Sequence, residues 1–143
     1  MTRVKDVLIV KGRDVWSVEP GASVYDAVQL MADKEVGALL VVEGAKVVGI
    51  ISERDYARKV VLHGRSSQTT QVREIMTSHV VYAQPDENIE QCMALMTEKR
   101  VRHLPVIDEE GRLIGVISIG DLVKSIISEQ KFMIEQLERY ISG

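Results

Sequence analysis

The sequence has little of several residue types, and each shortage narrows the classes of protein it could be. A single cysteine, Cys92, excludes an internal disulfide framework and fits a reducing compartment. No apolar run approaches the roughly 20 residues that span a bilayer, and the amino terminus lacks a signal peptide's apolar stretch. Basic and acidic residues number 18 and 21, for a net charge of −3, which argues against broad nucleic-acid binding. We therefore expect a cytoplasmic protein that binds neither nucleic acid nor membrane.

Motifs of catalysis and metal binding are also missing. The sequence contains no Gly-x-x-x-x-Gly-Lys-Ser/Thr loop, no His-Glu-x-x-His and no Gly-x-Ser-x-Gly elbow. His63, His79 and His103 share no metal-ligand spacing with one another or with Cys92. The sequence thus predicts neither an enzyme nor a metal site.

An internal repeat organises the 143 residues that are present. Val4-Lys5-Asp6-Val7-Leu8 returns as Val72-Arg73-Glu74-Ile75-Met76, and Pro20 matches Pro85. Such self-similarity is the mark of a duplicated structural unit. Each copy has only about 60 residues, near the size at which an independent core becomes marginal, so we expect the halves to need each other. The predicted divisions are a first domain over 1–66, a second over 67–128 and a helical tail over 129–143.

Hydrophobic periodicity predicts the same β-α-β-β-α order in both copies, an α/β (α+β) fold with small sheets flanked by helices. Apolar residues at helical spacing follow the cap candidates Ser23 and Asn88, and a second helix follows each strand pair. The predicted strands are 15–18, 38–42, 46–51, 80–83, 104–107 and 112–117, and the second helices are 52–62 and 118–128. In the tail, Phe132, Ile134, Leu137 and Ile141 lie near helical spacing. That spacing fits either self-association or a helix covering the sheet.

One motif, Gly-h-h-Ser-x-x-Asp with h apolar, occurs once in each copy, at Gly49–Asp55 and at Gly115–Asp121. Ser-x-x-Asp is a capping box, which satisfies orphan N–H groups where a helix begins, and this role alone could account for it. A helix start just past a strand end is also a natural ligand crevice. A carboxylate there can accept hydrogen bonds from vicinal ribose hydroxyls. The glycines leave room for a ligand or allow close packing.

The doubled motif, with Val36–Val42 and Val101–Ile107 ahead of it, resembles a pair of CBS (cystathionine-β-synthase) domains over about residues 4–128. The resemblance implies a pseudo-two-fold pair with clefts between the repeats, and a homodimer formed through helices. It also implies an adenosyl ligand: AMP, ADP or ATP, with NAD or S-adenosylmethionine as further possibilities, and no required cofactor. The implied role is a regulatory module that senses the ligand for a partner protein. The alternative is a structural interaction module without a physiological ligand.

The resemblance also implies the site residues. Asp55 and Asp121 would hold the ribose, with Ser52 and Ser118 close to the ribose or phosphate. The Asp55 cleft would add Ser78, His79, Val80, Val101 and Arg102, and the Asp121 cleft would add Arg13, Trp16, Val36, Gly37 and Ala38.

The copies differ in charge. Arg54 stands where the second copy has Gly120, and Arg102-His103 stand where the first has Gly37-Ala38. These cations are expected at the Asp55 cleft or between the clefts, so the sequence predicts tighter binding of multiply charged nucleotides near Asp55. Trp16 could stack on a base or pack at the rim.

Overall fold

The computed structural model describes residues 2–142, which form helices and small sheets in two compact units. One unit, here the Asp55 unit, is Val15–Val81; the other, the Asp121 unit, combines the chain up to Asp14 with the chain from Tyr82 onward. The division therefore does not follow the repeat boundaries. We call the part of each repeat that contains its first helix, α1 or α4, the leading segment: residues up to 14 in the first repeat and 72–81 in the second. Each leading segment belongs to the unit built on the strands of the other repeat.

The helices and strands follow one another in nearly the same order in both repeats. In chain order they are α1 (Val4–Lys11), β1 (Ser17–Val18), α2 (Val24–Lys34), β2 (Ala38–Glu43), β3 (Lys46–Ser52), α3 (Glu53–Tyr56), a π-helical segment (Ala57–Val61), α4 (Val72–Ile75), α5 (Ile89–Lys99), β4 (His103–Ile107), β5 (Leu113–Ser118) and α6 (Ile119–Ser142). None of the helices in the described part of the chain has the length and apolar content needed to cross a membrane.

The Asp55 unit has a three-stranded sheet in the order β1-β2-β3, with β1 parallel to β2 and β2 antiparallel to β3. Helix α2 begins at the Ser23 cap, whose hydroxyl accepts the Asp26 N–H at 3.1 Å. The helix buries one apolar face against the sheet because its apolar residues recur at helical spacing. The shared core consists of Val24, Ala27, Met31, Leu39, Val41, Ile51, Val60, Val72 and Ile75.

The Asp121 unit has a two-stranded antiparallel sheet, β4-β5, with α5 capped by Asn88. The predicted strand over 80–83 was wrong, because only an isolated bridge, Ala83 to Val106, forms there. The reason lies in β4. In the first repeat the Leu40 N–H donates to the Trp16 carbonyl at 3.2 Å, but Pro105 stands at the equivalent position and has no N–H to donate.

The leading segments explain why each copy of the motif begins with a glycine. A Cβ at Gly49 would lie 2.6 Å from Met76 Sδ, and one at Gly115 would lie 2.8 Å from Leu8 Cδ2. Both distances are far too short for non-bonded atoms. Of the two explanations left open by the sequence, close packing of the leading segment against the strand is therefore the one that the structure supports.

The leading segments also differ in length. Helix α4 ends at Ile75 because Thr77 pairs with Ile50, exchanging hydrogen bonds of 2.9 and 3.0 Å. Helix α1 has no such pairing after its matching residues and continues to Lys11. This difference places a lysine in the Asp121 unit where the other repeat has extended chain.

The helices after the motif differ from the prediction. The helix expected over 52–62 is one α-turn followed by the π-helical segment, a geometry often found at functional sites. The helix expected over 118–128 continues through the tail to Ser142 without interruption. The tail is thus the end of α6, and its apolar residues are exposed, Phe132 to 62% and Ile141 to 82%.

Candidate functional site

Both Ser-x-x-Asp motifs form reciprocal capping boxes at the end of a strand. The Ser52 N–H donates to Asp55 Oδ2 at 3.0 Å, and the Asp55 N–H donates to Ser52 Oγ at 3.2 Å. The matching pairs between Ser118 and Asp121 measure 2.8 and 3.2 Å. Both carboxylates are fixed beside a strand end and remain partly accessible, with 13% and 19% of the side chain exposed.

Asp55 has hydrogen-bonding partners on both of its carboxylate oxygens. Oδ2 also accepts the Ser52 hydroxyl at 3.1 Å, and Oδ1 lies 3.1 Å from the Lys59 ammonium, one helical turn further along. Lys59 Nζ donates in addition to the Ile75 carbonyl at 2.8 Å. The lysine therefore joins the aspartate to the end of the leading segment α4.

Asp121 has a lysine partner from a different element. Lys11 Nζ, at the end of α1, lies 2.6 Å from Asp121 Oδ2 and donates to the Val116 carbonyl at 2.6 Å. Oδ1 of Asp121 accepts no hydrogen bond within the described residues of its own unit. Within the described residues of this unit, one carboxylate oxygen is thus held and the other is unpaired.

The electrostatics around Asp121 favour an ionised carboxylate and a neutral imidazole. Burial raises the pKa of Asp121, whereas Lys11 and the Ser118 hydrogen bonds lower it, and the lowering prevails. Burial lowers the pKa of His103, as do the nearby Lys11 and Arg102 charges, against the opposing effect of Asp121. The neutral form of His103 is therefore favoured in the protein without ligand, and its role as a phosphate-binding cation stays a prediction. His103 also lies beside Asp121, in that unit.

Each unit brings together part of the predicted site. Arg13 shares the unit of Asp121, and Ser78, His79 and Val80 share the unit of Asp55. Beside each capping box runs the segment before the first hairpin strand. The Glu53 N–H donates to the Gly37 carbonyl at 3.0 Å, and the Ile119 N–H donates to the Arg102 carbonyl at 2.9 Å.

Two other predicted segments lie in the unit of the aspartate they were not predicted to serve. The Asp55 unit contains Val36, Gly37 and Ala38, predicted for the Asp121 cleft, and the Asp121 unit contains Val101 and Arg102, predicted for the Asp55 cleft. Their assignment across the two units stays a prediction. Trp16 uses its ring for a cation–π contact, with Lys34 Nζ 4.3 Å from the centroid. Arg54 and Gly120 lie on the first turns that carry the aspartates, both exposed.

Two lysines contact the motif aspartates but were not singled out from the sequence. Sequence reasoning missed Lys59, although an acidic residue four positions before a lysine on a helix is a known pairing signal. It also missed Lys11, which only the unequal lengths of α1 and α4 bring to Asp121.

Cys92 is buried, and burial raises the pKa of its thiol to about 11, so it is unreactive. No cluster of potential metal ligands occurs among residues 2–142.

Two matched units, each with a capping-box aspartate at a strand end, define a tandem-repeat protein. The chain belongs to the CBS-domain family: the family model for the CBS domain matches residues 4–62 and 72–128. The sequence-based recognition of the family and of its α+β fold is confirmed.

Relatives cover nearly the whole chain. It is 40% identical to the mitochondrial CBS domain-containing protein CBSX3 of Arabidopsis thaliana, over 99% of this chain and 73% of the relative. A CBS-domain protein of Burkholderia ambifaria named for signal transduction superposes with a TM-score of 0.86 at 56% identity, covering 90% of this chain and 96% of the other. The CBS domain pair of protein MJ0100, solved in complex with 5'-methylthioadenosine and S-adenosylmethionine, has a TM-score of 0.79 at 25% identity, covering 90% and 98%.

Proposed function

We propose that this tandem CBS pair is a non-enzymatic sensor of adenosyl ligands that transmits their binding to a partner protein. The ligand class is adenine nucleotide, AMP, ADP or ATP, with NAD and S-adenosylmethionine as the alternatives, and no cofactor is required. The observation that carries the proposal is the pair of capping-box aspartates, each fixed at a strand end and partly accessible. A carboxylate so held is preorganised to accept the two hydroxyls of a ribose.

The MJ0100 complex supports the ligand class, because both of its ligands contain an adenosyl group. The Asp121 unit offers the more open acceptor, since Oδ1 is unused within that unit. At Asp55 a ribose hydroxyl must share Oδ1 with Lys59.

Calorimetry of the full chain with AMP, ADP, ATP, NAD and S-adenosylmethionine tests the proposal. Asp55→Asn and Asp121→Asn are the informative variants, because the amide retains an acceptor for the capping bond but loses the charge. We expect each variant to weaken binding by about tenfold at its own site, the value of one charge-assisted hydrogen bond.

The chain offers a matched control in Asp26. It also follows a serine cap by three residues, Ser23, but does not follow the Gly-h-h strand end. Asp26→Asn should leave every affinity unchanged. If the folded protein binds none of the five ligands, the sensor proposal is refuted and the structural interaction module is the better description.

A homodimer is part of the proposal. Six positions of α6 follow the alternating intervals of four and three residues that pack helix against helix. Gln130 occupies one of them, and exposed apolar side chains occupy the other five: Val123, Ile127, Ile134, Leu137 and Ile141. Most of the stability of a helix in a protein comes from packing its apolar face, and pairing with a second copy would cover the exposed apolar face of α6. Sedimentation equilibrium should show a dimer that Leu137→Lys converts to a monomer, whereas Gln136→Lys, on the neighbouring polar position, should not. A monomeric unmodified protein would contradict this part.

The cytoplasm remains the proposed compartment, supported by a free buried thiol. The mitochondrial relative makes a fractionation experiment informative, because recovery of the protein in an organelle fraction would contradict that assignment.

A further inference from the structure

A groove of about 340 Å³ lies between α1 and α6 in the Asp121 unit. Such a volume is near the lower end of the roughly 300–1,000 Å³ typical of small-ligand sites. It has room for part of a nucleotide. Its polar lining consists of Lys11, Asp6, Asp121, Lys124, Ser125 and Ser128, together with two valines of α1.

The groove begins at the carboxylate proposed to hold the ribose. Asp121 Oδ2 is occupied by the Ser118 N–H and by Lys11, so an incoming hydroxyl meets Oδ1 first. A ribose bound there does not need to displace the lysine. The 5' carbon of a ribose is two bonds from the ring carbon that bears the 3' hydroxyl. A 5' phosphate is therefore within reach of the Lys11 ammonium, which lies 2.6 Å from Asp121 Oδ2.

The groups beyond Asp121 suit an anion. Lys11 and Lys124 supply ammonium donors, and Ser125 and Ser128 supply hydroxyls, the groups that proteins use to bind phosphate. Asp6 is an opposing charge, held at the start of α1 where its Oδ2 accepts the Arg3 N–H at 2.9 Å.

Lys11 is suited to change partners. It is the last residue of α1, its side chain is 32% exposed, and its ammonium is the only lysine nitrogen paired with Asp121 among the described residues of the unit. Lys59 differs, because it occupies Oδ1 of its aspartate and so stands where the ribose must bind.

We propose that Lys11 is the specificity-determining residue of the Asp121 site: its ammonium binds the 5' phosphate of a ligand whose ribose is held by Asp121, and so selects phosphorylated over unphosphorylated adenosyl ligands. The inference rests on the proposed function and deepens it. It also moves the phosphate preference from Asp55, where the sequence predicted it, to Asp121.

The test compares AMP and ADP with 5'-methylthioadenosine, which carries the same adenosyl group without phosphate. Calorimetry is performed on the full chain carrying Asp55→Asn, so that the Asp121 site dominates, with and without Lys11→Met. Methionine keeps most of the length of the side chain and removes the charge. Lys131→Met is the matched control, because Lys131 lies on α6 outside the groove.

Lys11→Met should weaken AMP and ADP by about tenfold and leave methylthioadenosine within about twofold. Lys131→Met should change none of the three. Equal weakening of all three ligands would show that Lys11 only supports the structure, and tighter AMP binding would show that it merely competes for Asp121. Either result overturns the inference while leaving the sensor function intact. If the unmodified chain binds none of the ligands, the proposed function fails and the inference fails with it.

Discussion

In both units a lysine links the motif aspartate to a backbone carbonyl, but the lysine comes from a different element in each unit. In each, one lysine bridges the capping-box aspartate and a backbone carbonyl, and so fastens the leading segment to the strand–helix junction. In the Asp55 unit the lysine belongs to the helix after the motif and reaches the carbonyl of Ile75 in the leading segment. In the Asp121 unit the lysine belongs to the leading segment itself and reaches a strand carbonyl.

The repeat therefore preserves a contact without preserving the residue that makes it. Local helix periodicity supplies the lysine in one unit, whereas the longer α1 supplies it in the other. Because the lysines occupy different carboxylate oxygens, the two aspartates are unequal acceptors for an incoming hydroxyl.

The largest expected effect concerns the close packing of the leading segments. A methyl group at Gly49 would meet the Thr77 carbonyl at 2.9 Å as well as Met76, whereas one at Gly115 would meet only the flexible Leu8 side chain. Gly49→Ala should therefore lower the free energy of unfolding by about 1–3 kcal/mol, and Gly115→Ala by less. Urea unfolding of both variants measures the difference. Equal losses would show that the two leading segments pack with the same rigidity.

A second prediction concerns the acid response of Asp121. Because the pKa of Asp121 is lowered in the folded protein, its contribution to stability is present above the unfolded pKa and is lost as pH falls through the folded pKa. Lys11→Met should reduce that contribution by about 1 kcal/mol or less. Urea unfolding at pH 7 and at pH 3 measures it, and the loss should be larger at pH 7 than at pH 3. A loss of the same size at both pH values would contradict the electrostatic explanation.

A third prediction concerns Gly120, which occupies the position of Arg54 in the second repeat. Gly120 lies in the first turn of α6, and a Cβ there would meet only Ser118 Oγ, at an ordinary 3.7 Å. Gly120→Ala should therefore raise the free energy of unfolding by about 0.5 kcal/mol, through helix propensity. Thermal unfolding is the measurement. A decrease instead would mean that another part of the molecule needs the space beside Gly120.

The smallest effect is expected from His103, whose counterpart in the first repeat is Ala38. The pKa of His103 is lowered in the folded protein, so its neutral form is favoured and stability is lost as pH falls through the unfolded pKa of about 6.5. His103→Gln should flatten the stability profile between pH 7 and pH 5. His63→Gln, on an exposed connection, serves as the control. An unchanged profile in His103→Gln would place the pH dependence elsewhere.

Much of the fold could be predicted because the pattern for most helices and strands occurs in both repeats. The strand pairs, α2, α5 and both capping boxes follow from hydrophobic periodicity and cap residues, which act locally. The strand expected over 80–83 could not be excluded by local pattern, because its loss depends on the missing N–H of Pro105 in a strand distant in sequence.

The candidate site was predicted less completely. Asp55, Asp121 and their serines belong to a local motif, so they were found. Lys11 was not, because its role depends on where α1 ends, and that depends on a pairing that Thr77 makes and its counterpart in the first repeat does not. Tertiary contacts of this kind leave no periodic signal in the sequence.

The uninterrupted helix α6 gives the Asp121 unit a lever arm. Ser142 follows Asp121 by 21 positions along the helix, or about 32 Å at 1.5 Å per residue. A tilt of about 5° at the aspartate end would therefore move the far end by about 3 Å, the size of a hydrogen bond. A shift too small to disturb the packing around Ser118 would therefore be large enough at Ser142 to make or break a contact.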